Sequence, residues 1–346
     1  MNPMILNLLL LSLTLGTIIT MSSSHWLLAW AGLEMNTLAI IPIISKQHHP
    51  RATEAATKYF LIQATASALI LFASTTNAWK TGQWDISQLS LPESTIMMTL
   101  ALAMKLGIAP SHFWLPEILQ GSSLPTAMII STWQKLAPAS LLLLTINSLN
   151  ENTLIILGLT SALLGGWGGL NQTQVRKTMA FSSIAHMGWL LMALTISPNI
   201  TLITLAIYLL LTTAMFFTLI STSSKTLTDL GTTSPLTPTL LTTSMTTLMS
   251  LGGLPPLTGF MPKWLILSEL IINNLLLIST TMALSTLPSL FFYLRMAQMT
   301  TLTLPPKVSP DECKWRFKTT TLPLTPLIIL ATLLLPLTPL IMNITK

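Results

Sequence analysis

Apolar runs of about twenty residues follow one another along almost the whole chain, separated by short polar breaks. A helix needs about 20 apolar residues to cross the hydrocarbon core of a bilayer, so these runs are long enough to span a membrane. The pattern predicts an all-α, polytopic membrane protein with about eleven transmembrane helices. The predicted spans are residues 4–21, 26–45, 55–79, 94–120, 124–147, 153–171, 178–197, 200–222, 238–272, 276–298 and 324–343.

The fourth and ninth spans each carry glycine ahead of two prolines six residues apart, Pro110 with Pro116 and Pro256 with Pro262. Proline removes a backbone donor and clashes with the preceding helical turn, so both spans are predicted to be interrupted helices. Paired interruptions in corresponding positions of two halves point to an ion pathway in a repeat-built transporter.

The spacing of the two interrupted spans predicts how the chain is organised. They lie five spans apart and therefore cross the membrane in opposite directions, as in two inverted five-helix repeats, each with one proline-broken helix. Within a single membrane domain, 1–346, we expect the first repeat over about 1–150, the second over about 151–300, and an extra C-terminal helix over about 320–346.

Composition and charge support a membrane location. Charged residues make up 8% of the chain, against roughly 25% in soluble domains. Most basic residues fall in loops on one predicted side of the membrane, as the positive-inside rule requires. The predicted topology puts the N-terminus on this side and the C-terminus on the opposite side. The net charge of +6 therefore indicates topology rather than a nucleic-acid partner. That side receives Lys46, Arg51, Lys58, Arg176, Lys177, Lys225, Arg295, Lys307, Lys314, Arg316 and Lys318, and the other receives Lys80 and Lys346.

Glu34 lies midway along the second predicted span. A charge at bilayer depth costs on the order of 2.5 to 3.5 kcal/mol, so Glu34 needs a partner, water or neutralisation. Its nearest candidate partner in the sequence is Lys58, in the first turns of the next span, and such a pair would be switched by a neighbouring charge. Two other interpretations stay open: a protonated Glu34 hydrogen-bonded between helices, and a Lys58 whose ammonium reaches the membrane surface.

Three lysines are predicted at membrane depth in three different spans. Lys105 precedes the first interruption, Lys135 lies about halfway through the fifth span, and Lys263 directly follows Pro262. Burial favours the neutral amine over the ammonium, so a buried lysine can take up and release a proton. We expect the three amines to form a proton relay; the alternative is structural pairing with other charges.

His112 lies between Pro110 and Pro116, and His186 lies inside the seventh span. An imidazole titrates near neutral pH and can shuttle protons, although a helix histidine is more often a structural hydrogen-bonding group. Both are therefore possible relay members, and Glu117 is expected at the rim of the pathway. His25, His48 and His49 flank spans and are expected to face the lipid headgroups.

Other chemistry is not predicted from this sequence. Cys313 is the single cysteine, which excludes a disulfide, an iron-sulfur cluster or a thiolate zinc site made by this chain alone. The glycine-rich run 165–169 follows no strand, so it indicates close helix packing rather than a phosphate loop. The N-terminus lacks the pattern of a cleaved transit peptide, and a polar surface loop is expected over 299–318.

Several segments resemble the vertebrate mitochondrial NADH dehydrogenase subunit 2 family, essentially from end to end. They are Met1–Pro3, His25–Asn36, Pro50–Phe60, Lys105–Glu117 and Trp133–Pro138. The resemblance implies an antiporter-like membrane-arm subunit of respiratory NADH:ubiquinone oxidoreductase (complex I) in the mitochondrial inner membrane, with the positive side as the matrix. It also implies that Glu34, Lys58, Lys105, Lys135 and Lys263 form a chain of protonatable groups. NADH, FMN, the iron-sulfur clusters and ubiquinone would be held by partner subunits, with membrane lipids as further partners and no cofactor on this chain.

Three hypotheses for function remain at this point. The first is a proton-translocating subunit of a redox-driven pump, in which Lys105 and Lys135 exchange protons and Lys263 passes them onward. The second is a free-standing cation/proton antiporter. The third is a structural membrane subunit whose buried charges only pair with one another.

Overall fold

The structure, a computed structural model, describes residues 3–232, 238–302 and 324–339. Its regular elements are helices, and the described ranges contain no β-strand beyond two isolated bridges. The α-helices are α1 Pro3–Ser22, α2 Trp26–Ile44, α3 Pro50–Thr81, α4 Pro92–Leu106, α5 Trp114–Gly121, α6 Leu124–Ser131, α7 Leu136–Leu144, α8 Glu151–Gly169, α9 Val175–Ile196, α10 Pro198–Thr222, α11 Leu227–Thr232, α12 Pro238–Gly252, α13 Phe260–Ile272, α14 Leu276–Leu302 and α15 Thr325–Leu333. The predicted all-α class is confirmed.

Seven helices or helix pairs in the described ranges are long and apolar enough to cross a membrane. Two further predicted spans, 94–120 and 238–272, are divided into shorter helices, α4 with α5 and α12 with α13. The two predicted spans that remain, 153–171 and 324–343, correspond to α8 and α15. The total of about eleven and the inverted repeats stay predictions. The seven candidates are α1, α2, α3, α6 joined to α7, α9, α10 and α14.

The chain divides into two compact units, Met1–Ser161 and Ala162–Lys346. In the first unit, α1 packs on α2 with glycines at the contact. A Cβ on Gly16 would lie 2.9 Å from the carbonyl oxygen of Gly32, so only glycine allows the two backbones to approach this closely. The glycines thus hold α1 and α2 together as a pair, and α1 also contacts α7.

In the second unit, the glycine-rich end of α8 packs tightly against two neighbouring helices. A Cβ on Gly165 would lie 2.5 Å from the backbone nitrogen of Ala185 on α9, and one on Gly169 would meet the Phe292 ring on α14 at 2.7 Å. The predicted role of this run in close helix packing is therefore confirmed.

Both predicted interruptions are present, and both begin at a glycine rather than at a proline. The helices α4 and α12 end where Gly107 and Gly253 adopt left-handed backbone angles, with φ of 75° and 83°. Glycine carries no penalty in this region of backbone space, so it ends each helix cleanly. Pro116 and Pro262 lie in the first turns of α5 and α13, where the missing N–H has no helical partner to lose.

A third interruption was not predicted. The fifth span is divided into α6 and α7 by a short 3-10 segment, Trp133–Lys135. Pro138 explains its position, because a proline ring clashes with the carbonyl of the residue four before it, here Gln134. Lys135 therefore lies in distorted backbone rather than in regular helix.

Two pairs of loops are joined by backbone bridges. His25 pairs with Asp85 in the first unit, and Gln174 with Thr226 in the second. His25, predicted only to face headgroups, also accepts a hydrogen bond from the backbone N–H of Leu27 and stacks on Trp84 at 5.5 Å between ring centres. It thus caps α2 and fixes the loop.

The loop before α11 carries a reciprocal cap between Thr226 and Asp229. The Asp229 carboxylate accepts the backbone N–H of Thr226 at 2.8 Å and that of Lys225 at 3.1 Å, while the Thr226 hydroxyl accepts the N–H of Asp229. These backbone donors, that of Thr226 first, hold the pKa of Asp229 below its usual value. The predicted loop 299–318 begins later than expected, since α14 continues to Leu302; its remainder, with Cys313, lies outside the described residues.

Candidate functional site

Two of the predicted lysines border one small internal cavity of the first unit. Lys105, in the last turn of α4, is 5% exposed, and Lys135, in the 3-10 segment, is 3% exposed. Both line a cavity that leaves about 10 Å³ for the centre of a water molecule, which is the space that about one water needs. The helix end at Gly107 and the distortion at Lys135 thus bring two amines from different spans to one enclosed space.

Uncharged polar side chains contribute to the rest of the cavity wall, together with apolar ones. The Tyr59 hydroxyl donates to the Gln134 side chain at 3.4 Å, and the Gln134 amide donates to the backbone carbonyl of Asn36 at 3.5 Å. Gln63 and Thr37 complete the polar wall. These groups come from α2, α3 and the segment before α7, which are far apart in sequence.

Glu34 lies beside this cavity and not in it. Its carboxylate accepts a hydrogen bond from the Thr37 hydroxyl at 2.9 Å, and Thr37 itself lines the cavity. Glu34 also borders an open groove of about 470 Å³ between α2 and α3. Its charge is close enough to interact electrostatically with Lys105. The acid is therefore placed to influence the Lys105 amine through space and the cavity wall through Thr37.

The predicted pairing of Glu34 with Lys58 is wrong. The Lys58 ammonium is 2.6 Å from the Glu54 carboxylate, one turn earlier in α3, and 2.7 Å from that of Glu117 on α5. The three side chains are between 40% and 60% exposed. Lys58 lies only two turns into α3, so its flexible side chain reaches the acids at the helix end more readily than an acid halfway along α2. Glu117 is exposed, as expected at a rim.

His112 lies in the interruption between α4 and α5, where it is 5% exposed. Its ring packs against that of Phe113 at 4.3 Å between centres. His112 does not line the cavity of Lys105 and Lys135. Its place in the relay stays a prediction.

Lys263 of the second unit closes the second helix interruption. Its amine donates to the backbone carbonyl of Gly252, the last residue of α12, at 2.8 Å, and the side chain is 9% exposed. A cation suits this position, because the carbonyls at a helix C-terminus carry partial negative charge. A Cβ on Gly253 would lie 2.9 Å from this amine, so the glycine provides both the backbone angle and the space.

His186 on α9 borders the same cavity as Lys263, a space of about 20 Å³ for water centres. Its Nε2 atom is 3.5 Å from the Tyr293 hydroxyl, and its ring centre is 5.7 Å from that of Tyr208. The second unit therefore also groups a lysine with polar and aromatic side chains in an enclosed space. Lys263 and His186, predicted separately from sequence, belong to one cluster.

Sequence reasoning missed the polar residues that complete both cavities. Asn36, Tyr59 and Gln134 line the first cavity and Tyr208 lines the second, whereas Tyr293 contacts His186 from outside the cavity wall. Apolar patterning does not distinguish these uncharged residues from other helix residues. Their separation along the chain left no local signal. No group of three or more His, Cys, Asp or Glu side chains that could hold a metal occurs in the part of the chain that the structure describes.

Apolar helices, interrupted spans and buried lysines beside the interruptions define a class: multi-span membrane proteins of the antiporter-like type. Comparison with known proteins agrees. Residues 23–288 match the model of the NADH:quinone oxidoreductase/Mrp antiporter transmembrane family, and residues 290–342 match the NADH dehydrogenase subunit 2 C-terminal family.

The similar curated proteins identify the family more narrowly. NADH-ubiquinone oxidoreductase chain 2 of Salmo salar is 56% identical over 96% of this chain and 95% of its own length. The chain 2 protein of Danio rerio is 54% identical over 96% of this chain and its whole length. The chain therefore belongs to the NADH-ubiquinone oxidoreductase chain 2 family.

Solved structures share the fold. A chain of respiratory complex I from Thermus thermophilus matches with a TM-score of 0.83 and 25% identity, over 99% of this chain and 78% of that one. A chain of the Mrp complex from Dietzia matches with a TM-score of 0.82 and 17% identity, over 97% of this chain and 76% of that one, which shows the fold alone.

Proposed function

We propose that this chain is a proton-translocating subunit in the membrane arm of the respiratory NADH:ubiquinone oxidoreductase. In this proposal the protons pass along buried Lys105, Lys135 and Lys263. The observation that carries it is the pair Lys105 and Lys135, whose side chains come from different spans to a single polar, water-sized cavity. A buried charge costs several kcal/mol without compensation, so packing alone does not favour two amines there.

The surrounding geometry gives each further group a role. Glu34 modulates the proton affinity of Lys105 through its charge, with Thr37 linking it to the cavity. In the second unit, Lys263 takes up and releases a proton as its hydrogen bond to the carbonyl of Gly252 forms and breaks. His186 borders the same cavity and is the second proton carrier there. Half-channels to the two surfaces open at the interrupted helices, where irregular backbone can line a hydrated space.

Lys58 takes a different place from that predicted. With Glu54 and Glu117 it forms an exposed charged cluster, so we assign it to the access route of the relay rather than to its centre. There its ammonium, held between the two carboxylates, faces bulk water. His112 lies near the first interruption and is assigned to the same access route.

The relatives' names, together with the family resemblance of the sequence, supply the setting of the proposal. Electron transfer from NADH to ubiquinone would use FMN, iron-sulfur clusters and ubiquinone held by other subunits, and this chain would contribute no redox centre. It would lie in the mitochondrial inner membrane among membrane-arm and accessory subunits and lipids, with no nucleic acid. From the loop charges we propose that the N-terminus lies on the matrix side and the C-terminus on the intermembrane-space side.

The proposal is tested by Lys105→Met and Lys135→Met in the assembled complex, reconstituted into liposomes. NADH oxidation and proton uptake are measured together. We expect both variants to lose most proton uptake per NADH oxidised, since Met keeps the length of the side chain and removes the proton carrier. Lys80→Met is the matched control, because Lys80 is exposed and paired with Glu93. Normal proton-to-electron ratios in both buried variants would refute the proposal.

A second candidate, a cation/proton antiporter, is supported by the fold shared with the Mrp complex chain. It predicts that the purified chain alone exchanges cations for protons across liposomes under a pH gradient. A relay that works only inside the redox complex predicts no exchange in this assay. A third possibility, a purely structural subunit, predicts no exchange in this assay and also predicts unchanged pumping by the complex when Glu34 and Lys105 are both neutralised.

A further inference from the structure

Asn36 lines the cavity of Lys105 and Lys135, and its side-chain amide is buried without a hydrogen-bond partner in the described residues. It is 2% exposed, and neither its Oδ1 nor its Nδ2 atom has a hydrogen-bond partner within the described ranges. A buried amide without partners costs about 1 to 3 kcal/mol, so such groups are normally satisfied by protein or by ordered water. Packing does not explain why an asparagine occupies this position.

The position of the Asn36 amide is set by the contact between α1 and α2. A Cβ on Gly16 would lie 2.5 Å from Oδ1 and 3.0 Å from Cγ of Asn36, so the missing side chain of Gly16 makes room for the amide. Gly32, one turn before Asn36, allows the two helices to approach closely enough to hold it there. The amide is thus fixed by backbone on one side and lines the cavity on the other.

The cavity beside Asn36 also suits one particular ligand. Its volume admits about one water, and its wall contains Lys105, Lys135 and Gln134 as well as Asn36. A buried water typically makes about three hydrogen bonds, and an amide offers it both a donor and an acceptor. The Lys105 amine likewise has no hydrogen-bond partner in the described part of the chain.

We propose that Asn36 binds an internal water that bridges the amines of Lys105 and Lys135. The inference rests on the proposed function and extends it, since it names the group that keeps the proton path continuous between the two carriers. Asn36 is a positioning residue: it holds the water and gives up no proton itself. Gly16 is part of the same site because it keeps the amide in place.

Two substitutions separate water binding from space filling. Asn36→Leu keeps the branching and the number of heavy atoms of the side chain and removes the polar ones, whereas Asn36→Ser keeps a polar group in a smaller side chain. We expect the Leu variant to lower the rate of proton uptake per assembled complex by about tenfold, the change that matches one net hydrogen bond. The Ser variant should stay within about threefold of the parent. The reverse order, with Leu active and Ser inactive, would overturn the inference.

A matched control is Asn77→Ala. Asn77 is also fully buried in the first unit, but its amide donates to the backbone carbonyl of Gln88 and does not line the cavity. It should reduce the amount of assembled complex without changing the rate of proton uptake per assembled complex. Equal loss of that rate in Asn77→Ala and Asn36→Leu would contradict a specific role for Asn36.

A map of the unmodified assembled complex at a resolution that shows ordered water keeps the inference testable if the variants do not assemble. It should show a water about 2.7 to 3.2 Å from the Asn36 amide. A dry cavity would overturn the inference. Normal pumping in Asn36→Leu, together with lost pumping in Lys135→Met, would refute this water site and leave the lysine relay intact.

Discussion

The interruption between α12 and α13 depends on Gly253, and Gly253→Ala perturbs it in two ways. The φ angle of 83° is one that an L-residue adopts at a cost of roughly 1 to 2 kcal/mol. The new Cβ would also lie 2.9 Å from Nζ and 3.0 Å from Cδ of Lys263. The amine must therefore move away from the carbonyl of Gly252, to which it now donates at 2.8 Å.

The two costs can be separated. Loss of the buried hydrogen bond adds about 1 to 3 kcal/mol to the backbone penalty, so the total is about 2 to 5 kcal/mol. The hydrogen-bond cost alone corresponds to a fall of about 5- to 150-fold in the bonded population of Lys263 relative to the displaced one. Gly82→Ala is the matched control, because Gly82 ends α3 with φ of 74° and a Cβ there would meet nothing within 4 Å.

The assay compares proton uptake per NADH oxidised and thermal inactivation for the two variants in the assembled complex. Gly82→Ala should show only the backbone penalty, as a modestly lower inactivation temperature and an unchanged ratio. Gly253→Ala should be less stable and should also lose proton uptake. Equal behaviour of the two variants would refute the reasoning that the Lys263 amine occupies the space left by Gly253.

Three further predictions follow from other parts of the chain. Gly165→Leu should prevent assembly, because its Cβ would meet the backbone of α9. Gly252→Ala should assemble, because the nearest contact of its Cβ is at 3.8 Å. Similar amounts of the two variants in membranes would contradict this prediction. Asp229→Asn should cost up to about 1 kcal/mol at neutral pH. Because the folded pKa of Asp229 is lowered, this stabilisation is present above its ordinary value near 3.9 and is lost as pH falls below it, so parent and variant should converge in acid inactivation assays. Lys58→Met should slow proton uptake by less than about threefold, since exposed ion pairs contribute little; a complete block would return Lys58 to the centre of the relay.

The sequence predicted the helical class and the two main interruptions because both follow from local chemistry. Apolar runs of about twenty residues have the length of membrane-spanning helices, and a glycine followed closely by two prolines favours the end of a helix. The details depended on geometry: Gly107 and Gly253, rather than the prolines, end the helices. The distortion at Lys135 has a local cause, Pro138. It was not predicted, because a single proline in an apolar run carries no sign of the 3-10 segment before it.

The candidate site was only partly predictable for a different reason. Charged residues in apolar runs stand out, so Lys105, Lys135 and Lys263 were found from their positions alone. Their partners depend on which helices pack together, and sequence proximity suggested Lys58 for Glu34 although its acids lie on α3 and α5. Asn36 and Gln134, 98 residues apart, meet only through the packing of α2 beside the segment before α7.

The central claim is that the amine of Lys135 releases and takes up a proton in each turnover, and Lys135→Arg tests it most directly. Arginine keeps the positive charge but holds its proton at any pH that the complex tolerates. Proton uptake per NADH oxidised is measured in liposomes containing equal amounts of assembled complex. The account predicts that the Arg variant loses proton uptake as Lys135→Met does. An unchanged ratio in the Arg variant would show that only the charge at this position matters, and would contradict the proton relay.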